Sequence, residues 1–293
     1  MTRAGTVSVV GKPNAGKSTL LNRIIGQKLS IISPKPQSTR QRIVGIHSSG
    51  DVQMVISDTP GLLDPSYPLQ HAMRSIAVQA LGDADVVVYL GDATEGIPPT
   101  LADAAGTTVP VRGHLIEVIN KADAVSAQEL ERIRAARPGA RVISAVTGEG
   151  VDDLLAAIAE RLPESPFLYP EDDIGTQSTR FFAAELIRET ALEQLHEEVP
   201  YSVACEIEEF REDRSPWYIR AVVYVERESQ KRILIGHKGS QIRELGRVSR
   251  LKIEDLVGHP VYLDLWVKVL PNWRRSPRDL KRFGFELPED LKK

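Results

Sequence analysis

The sequence predicts an α/β fold, a mixed sheet with helices on both faces, followed by a smaller α+β domain. Three observations carry this prediction. From Thr6 to about Leu162, short apolar runs alternate with helical patterns, the signature of a doubly wound sheet. The stretch Pro163–Gly175 (PESPFLYPEDDIG), rich in proline and acidic residues, then ends every periodic pattern. Beyond it, a second and different set of helix and strand patterns runs to Val269, with no internal repeat. The chain of 293 residues is long enough for about two domains. The expected division is a nucleotide-binding domain over 1–165, a linker over 166–177 and a second domain over 178–293.

In chain order, Thr6–Val10 reads as a buried strand, followed by glycines and a helix from Lys17 to about Ile25. Arg42–His47 and Val52–Ser57 alternate around a Ser-Ser-Gly turn and predict an antiparallel hairpin. Val86–Leu90, Leu115–Ile119 and Val142–Ser144 are further strand candidates, with helices near 69–82, 126–136 and 151–161. The region Pro98–Gly113 has only weak helical character. In the second domain, Thr179–His196 has helical spacing with Ser178 or Thr179 as its cap. Strands follow at Val203–Glu208 and Tyr218–Val225, then an apolar run Ile233–Ile235, a helix from Ser240 to about Val257 and a last strand Val261–Val269.

Composition narrows the class. No apolar run reaches the roughly 18–20 residues that cross a bilayer, and the N-terminus does not read as a signal peptide. The single cysteine, Cys205, forms neither an intramolecular disulfide nor a zinc site, and reads as a small buried hydrophobe. A soluble, cytoplasmic monomer is expected. The net charge of −3 hides an asymmetry: residues 227–293 carry 16 Lys and Arg against 9 Asp and Glu, while 1–226 carry 21 against 31. A basic tail on an acidic body predicts a polyanionic partner.

The chemistry begins at Gly11-Lys-Pro-Asn-Ala-Gly-Lys17-Ser18, which fits G-x-x-x-x-G-K-[ST] between a strand and a helix. Its glycines let the backbone, including the amides of Asn14, Ala15, Gly16 and Thr19, wrap phosphates closely. Lys17 supplies a cation to the β- and γ-phosphates, and the Ser18 hydroxyl a ligand for Mg²⁺. Asp58-Thr-Pro-Gly61 follows a strand, so Asp58 can hold Mg²⁺ through water and Gly61 can offer an amide to the γ-phosphate. Asn120-Lys121-Ala-Asp123 and Ser144-Ala145 follow two further strands. A carboxylate only accepts, and guanine presents two N–H donors where adenine presents an acceptor. Asp123 therefore selects guanine, by a factor on the order of 10⁴ when polar groups would otherwise be left unpaired. The expected ligands are GTP and GDP with Mg²⁺, on a Ras-like P-loop NTPase fold.

Gly-x-Pro-Asn-x-Gly-Lys-Ser with Asp-Thr-Pro-Gly-Leu resembles the Era-like family within the translation-factor class of GTPases. The resemblance implies that Thr39, beside Ser38, is the switch I threonine that ligates Mg²⁺. It implies that Asn14, which equally suits a plain turn, binds K⁺ as in cation-dependent relatives. The residue after Gly61 is Leu62, which cannot orient water as a glutamine does, so slow intrinsic hydrolysis is expected.

Gly236-His-Lys-Gly239 lies inside the basic segment and opens a helix whose Arg243, Arg247 and Arg250 share a face. This is the layout of a type II KH domain, in which Gly236, His237, Lys238, Gly239, Arg243 and Arg247 hold single-stranded RNA. The segment from Tyr224 to Trp273 also resembles the Era-like family. That implies binding to small-subunit ribosomal RNA near its 3′ end, during assembly of the small ribosomal subunit. Peripheral association with the inner face of the cell membrane fits the same family. The alternative reading has the KH-like domain dock a protein or an anionic membrane. Trp266 is expected in the core, and Trp217 and Trp273 as packing residues.

Overall fold

The structure is a computed structural model that describes residues 1–106 and 111–288. It divides into two compact units, 1–66 with 70–176, and the chain from 177 onward with the short stretch Tyr67–Leu69.

The first unit is built on β1 (Arg3–Gly11), β2 (Ile43–Ser49), β3 (Val52–Asp58), β4 (Val86–Asp92), β5 (His114–Asn120) and β6 (Arg141–Val142). Their order in the sheet is β2-β3-β1-β4-β5-β6. All pairings are parallel except β2 with β3, the expected hairpin. Helices α1 (Lys17–Ile25), α2 (Pro68–Asp83), α3 (Leu101–Ala105), α4 (Ala127–Ala136) and α5 (Val151–Ala159) connect them. Every residue of β4 is buried, as expected for a central parallel strand covered on both faces. The weakly helical region 98–113 contains α3, opened by a capping box between Thr100 and Asp103. Residues 107–110 of that region lie outside the described residues, as do 289–293 of the second domain.

The chain leaves the sheet in opposite directions around β1, whose neighbours are β3 and β4. The crevice at the carboxyl ends of these strands is where ligands bind in open α/β sheets. Gly11, Asp58, Asp92 and Asn120 all end strands there.

Residues 163–176 lie along the first unit. Gln53 accepts hydrogen bonds from the amides of Leu168 (2.7 Å) and Tyr169 (2.9 Å), and donates to the Tyr169 carbonyl (2.8 Å). Ile46 N donates to the Ile174 carbonyl at 3.0 Å, and Gly45 bridges Gly175.

The second unit has α6 (Thr179–Gln194), capped by Ser178, then α7 (Val199–Ser202), β7 (Ala204–Arg211), β8 (Trp217–Val225), α8 (Glu228–Ile235), α9 (Ser240–Val257), β9 (Val261–Val269) and α10 (Pro277–Arg282). The sheet order is β7-β8-β9, with β8 antiparallel to β7 and parallel to β9. Ala183, Ile187 and Ala191 of α6 and Leu245 and Ile253 of α9 pack on Ile219, Ala221, Val223 and Val225. Each large aliphatic side chain buried there contributes roughly 1.5–3 kcal/mol.

Two readings change here. The run Ile233–Ile235 is the end of α8, started by Gln230, whose buried side chain accepts the amides of Glu226 and Arg227 at 2.9 and 3.0 Å. Trp266 is not core. It is 56% exposed, because Leu263, Leu265 and Val267 face the helices and the alternate positions of β9 face away. Trp273, by contrast, is fully buried and donates to the Ser202 carbonyl at 2.7 Å. Trp217 packs at the edge of the core and stacks on His259. Cys205 is half-buried against the same core, and burial pushes its thiol far up.

Candidate functional site

The loop after β1 reaches α1 through Gly16 at φ +94°, a left-handed conformation where a Cβ would also overlap the Asn120 amide. No side chain caps α1, so its first backbone N–H groups stay open for a phosphate. Lys17 is buried and donates to the Lys12 carbonyl at 2.8 Å. Burial lowers its ammonium to about 8, against the opposing pull of Asp58. Residues 13–14, 16–19, 31–34, 37–39, 61, 63 and 121 line one cleft.

Behind that cleft three oxygen groups meet. Ser18 Oγ donates to Asp58 Oδ2 at 2.7 Å, Thr39 Oγ1 to the same oxygen at 3.2 Å, and the two hydroxyls lie 2.9 Å apart. Asp58 is fully buried, and burial raises its carboxyl pKa against Lys17 and the hydroxyls of Ser18, Ser30 and Thr39. Its Oδ1 makes no hydrogen bond. A hard, all-oxygen set with an unpaired buried carboxylate oxygen fits Mg²⁺. The metal ligands expected at 18, 39 and 58 are therefore brought together from three separate segments.

Around the base site, Asn120 is buried. It donates to the Ala15 carbonyl (2.9 Å) and accepts from Ala145 N (2.9 Å), clamping the phosphate loop to the Ser144-Ala145 turn. Ser144 Oγ accepts from Thr147 N at 3.0 Å and shapes that turn. Asp123 stands exposed one step past Ala122, outside the lining of the cleft, with its carboxylate on the solvent side. Asn14, at φ +63°, donates to the Pro34 carbonyl at 2.9 Å and so ties the phosphate loop to the segment leading to Thr39.

Three supporting residues escaped the sequence reading. Asp92 accepts from Lys121 and, at 2.9 Å, from Thr94 N. Burial opposes it, but these bonds hold its carboxyl below the ordinary range. Its place at a strand end beside Asp58 and Asn120 was the available signal. Thr59 donates to the Val9 carbonyl at 2.9 Å, and Arg23 Nε to the Ala145 carbonyl at 3.2 Å. Gly61 leads into Leu62, whose amide donates to Gly11 (2.9 Å) while its side chain enters the core. Leu62 thus points away from the cleft and takes no part in orienting water.

In the second unit, Gly236 (φ +72°) and Lys238 (φ +48°) turn the chain sharply between α8 and α9, leaving His237 and Lys238 exposed. A Cβ on Gly236 would meet Gln241 N at 2.9 Å. A groove beside this loop is lined by Ile242, Arg243, Gly246, Arg247 and Arg250 of α9, with Tyr262, Leu263 and Leu265 of β9. Arg247 is bound in a fork by Glu244 (2.9 and 2.7 Å), and Arg250 by Glu254 (2.7 Å). The basic face is therefore partly neutralised, and the carboxylates hold two of the guanidinium groups in fixed orientations.

Comparison with known proteins agrees with this geometry. A family described as 50S ribosome-binding GTPase matches residues 6–147, and the KH domain family matches 198–274. GTPase Era of Carboxydothermus hydrogenoformans is 42% identical, covering 97% of this chain and 98% of its own. Its counterpart in Aquifex aeolicus is 41% identical, with coverages of 97% and 100%. The crystal structure of a tyrosine-to-alanine variant of Aquifex aeolicus Era bound to GDP·AlF4⁻ superposes with a TM-score of 0.90 at 40% identity, covering 98% of this chain and all of the other. Era in complex with MgGDPNP and nucleotides 1506–1542 of 16S ribosomal RNA matches with a TM-score of 0.91, again at 40% identity and with the same coverages. From phosphate loop to KH groove, the chain belongs to the Era family of GTPases.

Proposed function

We propose that this protein hydrolyses GTP and couples that reaction to binding of small-subunit ribosomal RNA near its 3′ end, in assembly of the small ribosomal subunit. The observation that carries this reading is the convergence of Ser18, Thr39 and Asp58 on one buried point beside Lys17. Ser18 and Thr39 bind Mg²⁺ directly and Asp58 through water, and the metal neutralises charge on the phosphates. Lys17 exchanges the Lys12 carbonyl for phosphate oxygens, and the amides of the loop and of Gly61 hold the γ-phosphate. Asp123 accepts the two N–H groups of guanine, while Asn120 and Ala145 fix the walls of that site. The Leu62 side chain has no hydrogen-bonding group to orient water, so intrinsic turnover is slow.

In the KH domain, the Gly236–Gly239 loop presses its backbone on the RNA phosphates and Lys238 adds charge. Unpaired bases enter the groove between α9 and β9. Loss of the γ-phosphate releases Thr39 and the 58–62 loop, and this changes the affinity for RNA. The test is titration of labelled 3′-end RNA into protein loaded with GDP or with a non-hydrolysable GTP analogue. The affinities differ between the two states, and His237→Asp with Lys238→Asp abolishes binding in both. Identical affinities remove the coupling, and binding that survives the double substitution removes the KH assignment.

We include K⁺ in the same reading. Asn14 sits where the phosphate loop meets the switch I segment, and a cation there replaces an arginine finger. Turnover is then faster in potassium than in sodium buffer, and equal rates dispose of the idea. The reading also takes the protein as a cytoplasmic monomer that associates peripherally with the inner face of the membrane. Among the described residues no helix is long and apolar enough to cross it. Cell fractionation and light scattering test these two points.

A further inference from the structure

Asp92 holds a place in the first unit that none of the nucleotide motifs explains. It ends β4, pairs in register with Asn120 of β5 and is only 7% exposed. A buried carboxylate is costly unless it is paired and hydrogen-bonded. Here the two oxygens are divided between two tasks. Oδ1 accepts from Thr94 N (2.9 Å) and Thr94 Oγ1 (2.6 Å), closing the turn Ala93–Glu95. Oδ2 accepts from Lys121 Nζ and pairs with its charge.

Lys121 is held from its other end as well. Its backbone is left-handed, at φ +65° and ψ +35°, a conformation that a lysine keeps only where its surroundings impose it. Before it, Asn120 donates to the Ala15 carbonyl and accepts the Ala145 amide; after it, Ala122 N donates to the Ile143 carbonyl at 3.2 Å. Backbone and ammonium are thus both fixed, and the residue lines the cleft together with the phosphate loop. An unanchored ammonium in a cleft built for phosphates is drawn to them. Paired with Asp92 it stays at the end of β4, and its methylenes present an apolar wall. We propose that Asp92 is a positioning residue for the nucleotide: it ties down the Lys121 ammonium so that the stem forms a fixed wall against the nucleoside and leaves the phosphates to Lys17. This rests on the GTP reading above.

The test is a double-mutant cycle on the full-length protein, read as affinity for GDP and for a non-hydrolysable GTP analogue, with steady-state GTP hydrolysis beside it. Asp92→Asn keeps an acceptor for Thr94 and removes the charge. It weakens both nucleotides about tenfold and raises KM by a similar factor, while kcat is unchanged. In a Lys121→Met background, which keeps a stem without an ammonium, the same substitution costs less than about twofold. Where Asp92→Asn does not fold, Asp92→Glu, which shifts the carboxylate by one methylene, takes its place in the cycle with the same expected pattern. An equal loss in both backgrounds overturns the proposal. It assigns the effect to the Ala93–Glu95 turn instead, where Glu95 meets Lys12 of the phosphate loop at 3.9 Å. Unchanged or tighter binding by the single variant also overturns it, while leaving the GTP reading intact. Failure of the parent to bind either nucleotide overturns the GTP reading and this inference with it.

Discussion

Asp58 answers to three demands with one carboxylate: it ends β3, accepts the hydroxyls of Ser18 and Thr39, and faces Lys17 where burial raises its pKa. Asp58→Asn keeps an oxygen acceptor but removes the charge that draws Mg²⁺. The variant therefore loses the rise in melting temperature that Mg²⁺–GTP gives the parent, and an undiminished rise contradicts the metal assignment. His47 on β2 gives a pH signature. Burial holds its imidazole below 6.5, against the backbone of Ile24. The unfolded chain takes up this proton near 6.5 and the folded chain only at lower pH, so stability falls as pH drops through that window. His47→Gln flattens this part of the melting profile, and an unchanged slope assigns the titration elsewhere. At this scale the sequence was legible wherever a motif dictates chemistry: Gly11, Asp58 and Asn120 stand at neighbouring strand ends with their motifs, while Asp123 stands exposed beyond them. Asp92 and Arg23 were not legible. Each acts by holding another segment in place, and a single strand-end aspartate or helix arginine carries no spacing signal.

Gln53 shows what an element can depend on. Its amide is the anchor by which 168–169 lie along the first unit, next to the β2 edge that pairs with 174–175. Three hydrogen bonds are lost together in Gln53→Ala. At about 0.5–1.5 kcal/mol each, this lowers stability by roughly 2–4 kcal/mol and speeds amide exchange at Leu168 and Tyr169 selectively. Protection that persists at those two amides refutes the anchoring role. Sequence alone read this proline-rich stretch as a linker because no local pattern reveals that a glutamine 115 residues earlier binds it. The same limit explains α8. Its start depends on Gln230 folding back on two amides, and its buried face is little more than Leu234. The strands and longer helices were legible because alternation and 3.6-residue spacing are local properties. Trp266 was misread for a related reason: hydrophobicity does not tell which face of β9 meets the helices.

At the scale of the whole molecule, the two units divide the chemistry. The first gathers four stretches of chain around one cleft, and the second sets a glycine loop beside a basic groove. The two share no motif, and the basic surplus is confined to residues 227–293 of the second, where 16 Lys and Arg face 9 Asp and Glu. RNA binding should accordingly weaken with salt, while guanine selectivity, which rests on matching donors to acceptors rather than on net charge, should not. The claim on which the account rests is that the first site reads guanine. Titration calorimetry of the purified protein with Mg²⁺ and either GTP or ATP tests it most directly. The account predicts heat and saturation for the guanine nucleotide and none for the adenine one at the same concentrations. Comparable binding of both, or no heat from GTP, contradicts it.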